Sequence, residues 1–171
     1  TGELLAKLAN FYSESIINNN IEYDFIFGPA YKGITLATSI SNSLYNAHNI
    51  IKPFCFNRKE IKKHGESGIF VGSQPKGRAL IVDDVISSGK SIIESIDLLS
   101  NNNATPSTVL VAFDRMERGA NEKASLEISS KYSIPVFSII TLDDIIEFLT
   151  SEKMMAVELN SMIKYMKIYK G

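Results

Sequence analysis

Apolar positions along the 171-residue chain recur in two alternating rhythms. One is helical: Leu4, Leu5, Leu8, Phe11, Tyr12 and Ile16, then Ile34, Ala37, Ile40 and Leu44, then Ile92, Ile93, Ile96 and Leu99. Spacings of three and four residues put each set on one face of a helix, a stripe that has to be buried against another element. Between and after these sets lie short segments at 24–27, 53–56, 79–82, 108–113 and 135–140, which read as buried strands because they are apolar without alternating. Further helices are predicted over 121–132, 143–149 and the Met- and Tyr-rich end from Met154 to Tyr169. Asn18-Asn19-Asn20 and Asn101-Asn102-Asn103 stop two of the helices. Strands alternating with helices predict an α/β fold, a parallel sheet of about five strands flanked by helices, in a single domain over 1–171. One stretch breaks the rhythm. Residues 57–76 are polar, hold Gly65, Gly68 and Gly72, and predict a long loop, either functional or disordered.

Composition narrows the class. A hydrophobic content of 44% with 22% charged residues is that of a soluble globular protein. The net charge of −1 argues against a protein whose main partner is nucleic acid, since there is no strong basic excess to release counterions. The single cysteine, Cys55, allows no disulfide within the chain and points to a reducing compartment. Between Phe54 and Phe56 it reads as core rather than nucleophile, with only His48 and His64 available to activate it. No apolar run is long enough to span a bilayer and no secretory signal is evident, so no membrane partner and a cytoplasmic location are expected. The Met and Tyr residues near the end read as core or dimer packing. The chain opens Thr1-Gly2 rather than on Met, which suggests a processed or truncated start.

Candidate chemistry gathers at the ends of the strands. The apolar run 79–82 leads directly into Asp83 and Asp84, then Ser87, Ser88 and Gly89, and then a helix. Small residues before a helix N-terminus can present backbone N–H groups to a phosphate, and paired carboxylates can accept hydrogen bonds from vicinal hydroxyls. An Asp after a strand can equally be a helix cap or turn former. The spacing of a Walker phosphate loop is absent. Gly28-Pro29-Ala30-Tyr31-Lys32-Gly33 reads either as a plain strand-to-helix turn or as a close backbone approach to a pyrophosphate with Lys32 supplying charge. The 57–76 stretch sets Arg58, Lys59, Lys62, Lys63 and Lys76 against Glu60 and Glu66, a solvated surface or a cationic lid. Arg115, after the fourth strand, can pair with Asp114 or Glu117 or take a planar carboxylate. In an open α/β sheet the 28–33, 83–91 and 114–119 segments can converge on one site.

The strand, acidic pair and Ser/Gly loop resemble the phosphoribosyl pyrophosphate (PRPP) motif of the type I phosphoribosyltransferase family. Phe-Gly-Pro-Ala-Tyr-Lys-Gly at 27–33, Cys-Phe-Asn-Arg-Lys-Glu at 55–60, Lys-x-His-Gly at 62–65, Val-Asp-Asp-Val-Ile at 82–86 and Asp-Arg-x-Glu-Arg-Gly at 114–119 narrow the likeness to the orotate phosphoribosyltransferases, over nearly the whole chain. That resemblance implies the type I phosphoribosyltransferase fold and a Mg2+-dependent transfer of phosphoribose from PRPP to orotate, giving orotidine 5′-monophosphate and pyrophosphate in pyrimidine (UMP) biosynthesis. It implies Lys62 as the catalytic lysine with Asp83 and Asp84. PRPP binding falls to Tyr31, Lys32, Arg58, Lys59, Lys62, His64, Asp83 and Asp84, and to the loop of Val85, Ile86, Ser87, Ser88, Gly89, Lys90 and Ser91. Orotate falls to Ser87 and Arg115; Ser87 stands where the family often has Thr. The metal is expected through PRPP and water rather than through direct protein ligands. A homodimer follows, each lid acting in the neighbouring subunit's site. The family's N-terminal hood, with a lysine and aromatics over the pyrimidine, is absent from this sequence. A transferase for another base, and a non-catalytic PRPP-binding regulator on the same fold, are the alternatives.

Overall fold

The computed structural model describes residues 1–62 and 68–171, with 61 and 62 described by their backbone. In chain order the elements are α1 (Gly2–Asn18), β1 (Phe25–Gly28), α2 (Lys32–His48), β2 (Phe54–Lys62), β3 (Gly68–Gly72), β4 (Gly77–Ile86), α3 (Lys90–Ser100), β5 (Ala104–Asp114), α4 (Ala124–Tyr132), β6 (Val136–Thr141), α5 (Leu142–Ser151) and α6 (Ala156–Tyr169). The strands form one sheet in the order β3-β2-β1-β4-β5-β6. All neighbours run parallel except β3, which is antiparallel to β2.

The expected α/β fold, a mostly parallel sheet flanked by helices, is borne out, with a sixth strand added antiparallel at one edge. The segment read as one long loop over 57–76 instead carries β2 out to Lys62 and returns as β3, while 63–67 lie outside the described residues. β3 escaped the apolar pattern because it is an edge strand, exposed at both glycine ends and only half-buried between. Phe70 anchors it, its ring edge-on to Phe27 at 6.0 Å between centroids.

The pleat assigns alternate residues to two cores. Phe25, Phe27, Ala79 and Ile81 meet Ile92, Ile96 and Leu99 of α3 and Ile128 of α4 on one face. Ile26, Leu80, Val82 and Leu110 meet Tyr12 and Ile16 of α1 and Leu36, Ala37 and Ile40 of α2 on the other. With both faces covered, strand residues of either parity are apolar, which is why the runs looked continuous in sequence. Cys55 is buried in the α3-side core, and burial pushes its thiol up to about 12, so it packs as a small hydrophobe. Among the described residues no helix is long and apolar enough to cross a membrane.

β1 and β4 are neighbours, and the chain leaves them for helices on opposite faces, α2 and α3. Strand order reverses there, so the loops diverge and open a crevice at the C-terminal ends of the strands.

Candidate active site

The acidic pair lies at the end of β4, and the pleat splits it. Asp83 has the same parity as Ala79 and Ile81 and turns toward α3; Asp84 follows Leu80 and Val82 toward α2. Asp83 is buried, one carboxylate oxygen accepting from the amide of Asp84 at 3.0 Å and the other from the hydroxyl of Ser91 at 3.1 Å. Burial raises its pKa above the ordinary aspartate value; these two donors lower it in part, and the charge of Asp84 pushes it further up. Asp84 is about one-third exposed and takes the ammonium of Lys32 at 2.6 Å. That hydrogen bond, and then the charge behind it, raise the lysine's pKa.

Behind the pair, Tyr12 reaches across from α1 and donates its hydroxyl to the backbone carbonyl of Asp83 at 2.7 Å. Burial pushes that phenol's pKa well up, so the hydroxyl stays a donor.

Ser87, Ser88 and Gly89 turn the chain into α3. Gly89 has φ of +78°, a conformation that favours glycine in the turn; a Cβ there would stand 2.5 Å from Cδ1 of Ile128, a side-chain tip that can swing aside. The loop and the first turn of α3 line a hollow of ≈ 370 Å³ that includes Val85, Ser88, Gly89 and Ser91. Ile86 points into the core, so only its backbone can serve a ligand, and its carbonyl is already taken by the amide of Arg115 at 3.1 Å. The Lys90 ammonium leans toward Glu94 at 3.9 Å. A larger hollow of ≈ 730 Å³, between α4 and the 118–122 segment, meets this loop only at Ser88 and Ile93.

The 28–33 turn packs backbone on backbone. A Cβ on Gly28 would lie 2.0 Å from the carbonyl oxygen of Gly33. The Ala30–Tyr31 peptide is cis. The amide of Ala30 donates to Oδ1 of Asn57 at 2.9 Å, which ties this turn to β2. Tyr31 is exposed, and the ammonium of Lys59 stands 4.6 Å from its ring centre. Arg58 donates to the Gly68 carbonyl at 3.4 Å. The side chain of Lys62, and His64 altogether, lie outside the described residues.

At the end of β5, Asp114 pairs in register with Ile86 and is buried, accepting from Ser125 Oγ and the Met116 amide, both at 2.7 Å, with Lys123 Nζ at 3.3 Å. Arg115 therefore turns to Glu117, its Nε 3.0 Å from Oε1, and donates to the hydroxyl of Tyr165 on α6. Among the described residues no group of three or more His, Cys, Asp or Glu side chains could hold a metal ion.

The structure thus gathers Lys32, Asp83, Asp84, Ser87, Ser91 and Arg115 at one end of the sheet, with Tyr31 and Lys59 beside them. Sequence reading had missed Tyr12, Asn57 and Tyr165. Tyr12 was legible only as part of an apolar stripe, Asn57 only as a member of the 55–60 motif with no role attached, and Tyr165 carried no local signal.

A strand-end diacid thus stands over a helix N-terminus at the switch point of the sheet. The family profile of the phosphoribosyl transferase domain matches residues 1–155, and the chain belongs to that family. It is 47% identical to the orotate phosphoribosyltransferase of Thiobacillus denitrificans over 98% of this chain and 79% of that one. It is 45% identical to that of Escherichia coli over 96% and 78%. The orotate phosphoribosyltransferase structure from Francisella tularensis, 34% identical, superposes with a TM-score of 0.84 over 100% of this chain and 82% of the other. Within its family the chain falls among the orotate phosphoribosyltransferases.

Proposed function

We propose that the chain transfers the 5-phosphoribosyl group of PRPP to orotate, yielding orotidine 5′-monophosphate and pyrophosphate in pyrimidine biosynthesis. The observation that carries this reading is the divided diacid: one carboxylate fixed by Ser91 under the loop, the other holding Lys32 across the crevice. A sugar phosphate fits between them. Its 5′-phosphate takes the backbone amides of 86–91 at the start of α3, where the helix dipole favours an anion. Its ribose hydroxyls donate to Asp83 and Asp84, which also favour positive charge growing on the sugar as the C1–O bond to pyrophosphate breaks. The new bond forms from C1 to a pyrimidine ring nitrogen, which loses its proton. No covalent nucleophile is needed, and the protein supplies position and charge.

Lys32 and Tyr31 face the pyrophosphate in this reading, joined by Arg58, Lys59 and Lys62 of β2 and by His64 beyond it, with Lys62 as the principal catalytic cation. Ser87 and Arg115 hold the pyrimidine, the guanidinium meeting its carboxylate. The donor set suits Mg2+ carried in by the substrate: the two carboxylates are hard oxygen groups already committed to Ser91 and Lys32, so they would meet it through PRPP oxygens and water. Mg2+ held there would supply neutralising charge to the pyrophosphate. A homodimer sharing its lids belongs to this reading, and Tyr45 and Ile51 leave apolar surface that a second copy could cover. The cytoplasm suits a buried free cysteine.

The test is loss of orotate absorbance with PRPP and Mg2+, wild type beside Lys62→Ala. Turnover by the wild type, reduced at least a hundredfold in the variant, is expected. A folded protein that binds PRPP and leaves orotate untouched refutes the assignment of the base.

A further inference from the structure

α6 buries none of its residues fully, yet one of them enters the network around Arg115. The Tyr165 hydroxyl donates to Oε1 of Glu117 and accepts from Nη2 of Arg115, whose Nε lies 3.0 Å from the same Glu117 oxygen. The guanidinium carbon stands 5.0 Å from the centre of the Tyr165 ring, and that ring leans on Tyr169 at 4.6 Å.

A guanidinium has two forks of donors, Nε with Nη2 along its side and Nη1 with Nη2 at its end. Glu117 and Tyr165 fill the side fork. The end fork keeps both Nη1 protons and one on Nη2, for which no acceptor occurs among the described residues. Tyr165 also moderates Glu117. By donating to that carboxylate it takes up part of a negative charge that would otherwise compete with a substrate for the arginine.

We infer that Tyr165 is a positioning residue for base recognition: together with Glu117 it locks the side fork of Arg115 and leaves the end fork to a planar carboxylate on the pyrimidine. This rests on the reading of Arg115 as the orotate-binding group. The C-terminal helix is then part of the specificity apparatus, although it is remote in sequence from every phosphate-binding segment. A hydroxyl that only steadies the fold would affect both substrates alike; one that aims a carboxylate-binding fork affects the base alone.

Steady-state kinetics of the full chain, wild type and Tyr165→Phe, test this with PRPP and orotate varied in turn, and with uracil as a competitor lacking the carboxylate. The expected result is an orotate KM raised about 5- to 10-fold, as for loss of one ordinary net hydrogen bond, with KM for PRPP unchanged and the preference for orotate over uracil reduced in proportion. An orotate KM within twofold of wild type overturns the inference, as does a parallel rise in KM for PRPP. If the wild type instead uses another base and ignores orotate, the assignment of Arg115 fails first and this role for Tyr165 with it.

Discussion

Two tyrosines allow a controlled measurement of what anchors the acidic pair. Tyr12 and Tyr23 are both buried, 0% and 5% exposed, and both belong to the core between the sheet and α1/α2. Tyr12 donates to the Asp83 carbonyl at 2.7 Å; the hydroxyl of Tyr23 has no hydrogen-bond partner among the described residues, and burial pushes its pKa up to about 12. Replacing each by Phe removes the same oxygen from a similar depth. At position 12 the change leaves a buried carbonyl short of a donor, at a cost of about 1–3 kcal/mol. At position 23 it removes a polar group that was never satisfied, so the change is neutral or stabilising. For a chain of this size each kcal/mol moves Tm by about 2–4 °C. Denaturant unfolding should therefore show a lower midpoint for Tyr12→Phe at unchanged m, and no loss for Tyr23→Phe. Turnover should fall in Tyr12→Phe and hold in Tyr23→Phe, because only the former loosens the peptide that carries Asp83. Equal losses in both variants, or none in Tyr12→Phe, would refute the anchoring role.

Asp83→Asn should separate stability from activity. Because the folded pKa lies above the ordinary value, ionising Asp83 costs stability: its contribution is whole below that value and is lost as pH rises through the folded one. Asn avoids this cost, so melting scans should find the variant stabilised near neutral pH, the gap closing as pH falls below the ordinary aspartate value, while turnover drops sharply. A variant less stable than wild type at neutral pH would count against burial as the governing cause. Gly28→Ala places a Cβ 2.0 Å from the Gly33 oxygen, a backbone contact with no side chain free to yield. It should cost several kcal/mol, of the order of a strained or overpacked site, and lower PRPP affinity; soluble protein with wild-type Tm and PRPP binding would contradict the close packing of that turn.

The alternation of elements was readable because parallel strands covered on both faces leave unbroken apolar runs, as at 79–82, and because each helix shows one apolar stripe. β3 was not readable. Its residues are half-exposed, and its pairing with β2 depends on a return of the chain that glycines at 68 and 72 permit but do not announce. Within the site, adjacency of Asp83 and Asp84 was plain, but their division to opposite faces follows only once β4 is known to run through them to Ile86. Contacts distant in sequence were hidden for a different reason. Tyr12 meets Asp83 across 71 residues, and Tyr165 meets Arg115 across 50, and no local pattern distinguishes either tyrosine from an ordinary packing residue.

The strand order also bears on how such an enzyme can change over evolutionary time. Groups assigned to the ribose and its 5′-phosphate, with Tyr31 and Lys32 for the pyrophosphate, follow β1 and β4, the two innermost strands, so alterations there disturb folding and catalysis together. Those assigned to the pyrimidine, Ser87 of the β4–α3 loop apart, hang on the end of β5 and on a helix with no fully buried residue. Selection for a different acceptor base would therefore find most of its tolerated changes in 115–119 and α6, while 28–33 and, Ser87 apart, 83–91 stayed fixed. The donor half of the reaction is welded to the core, and the acceptor half is interchangeable.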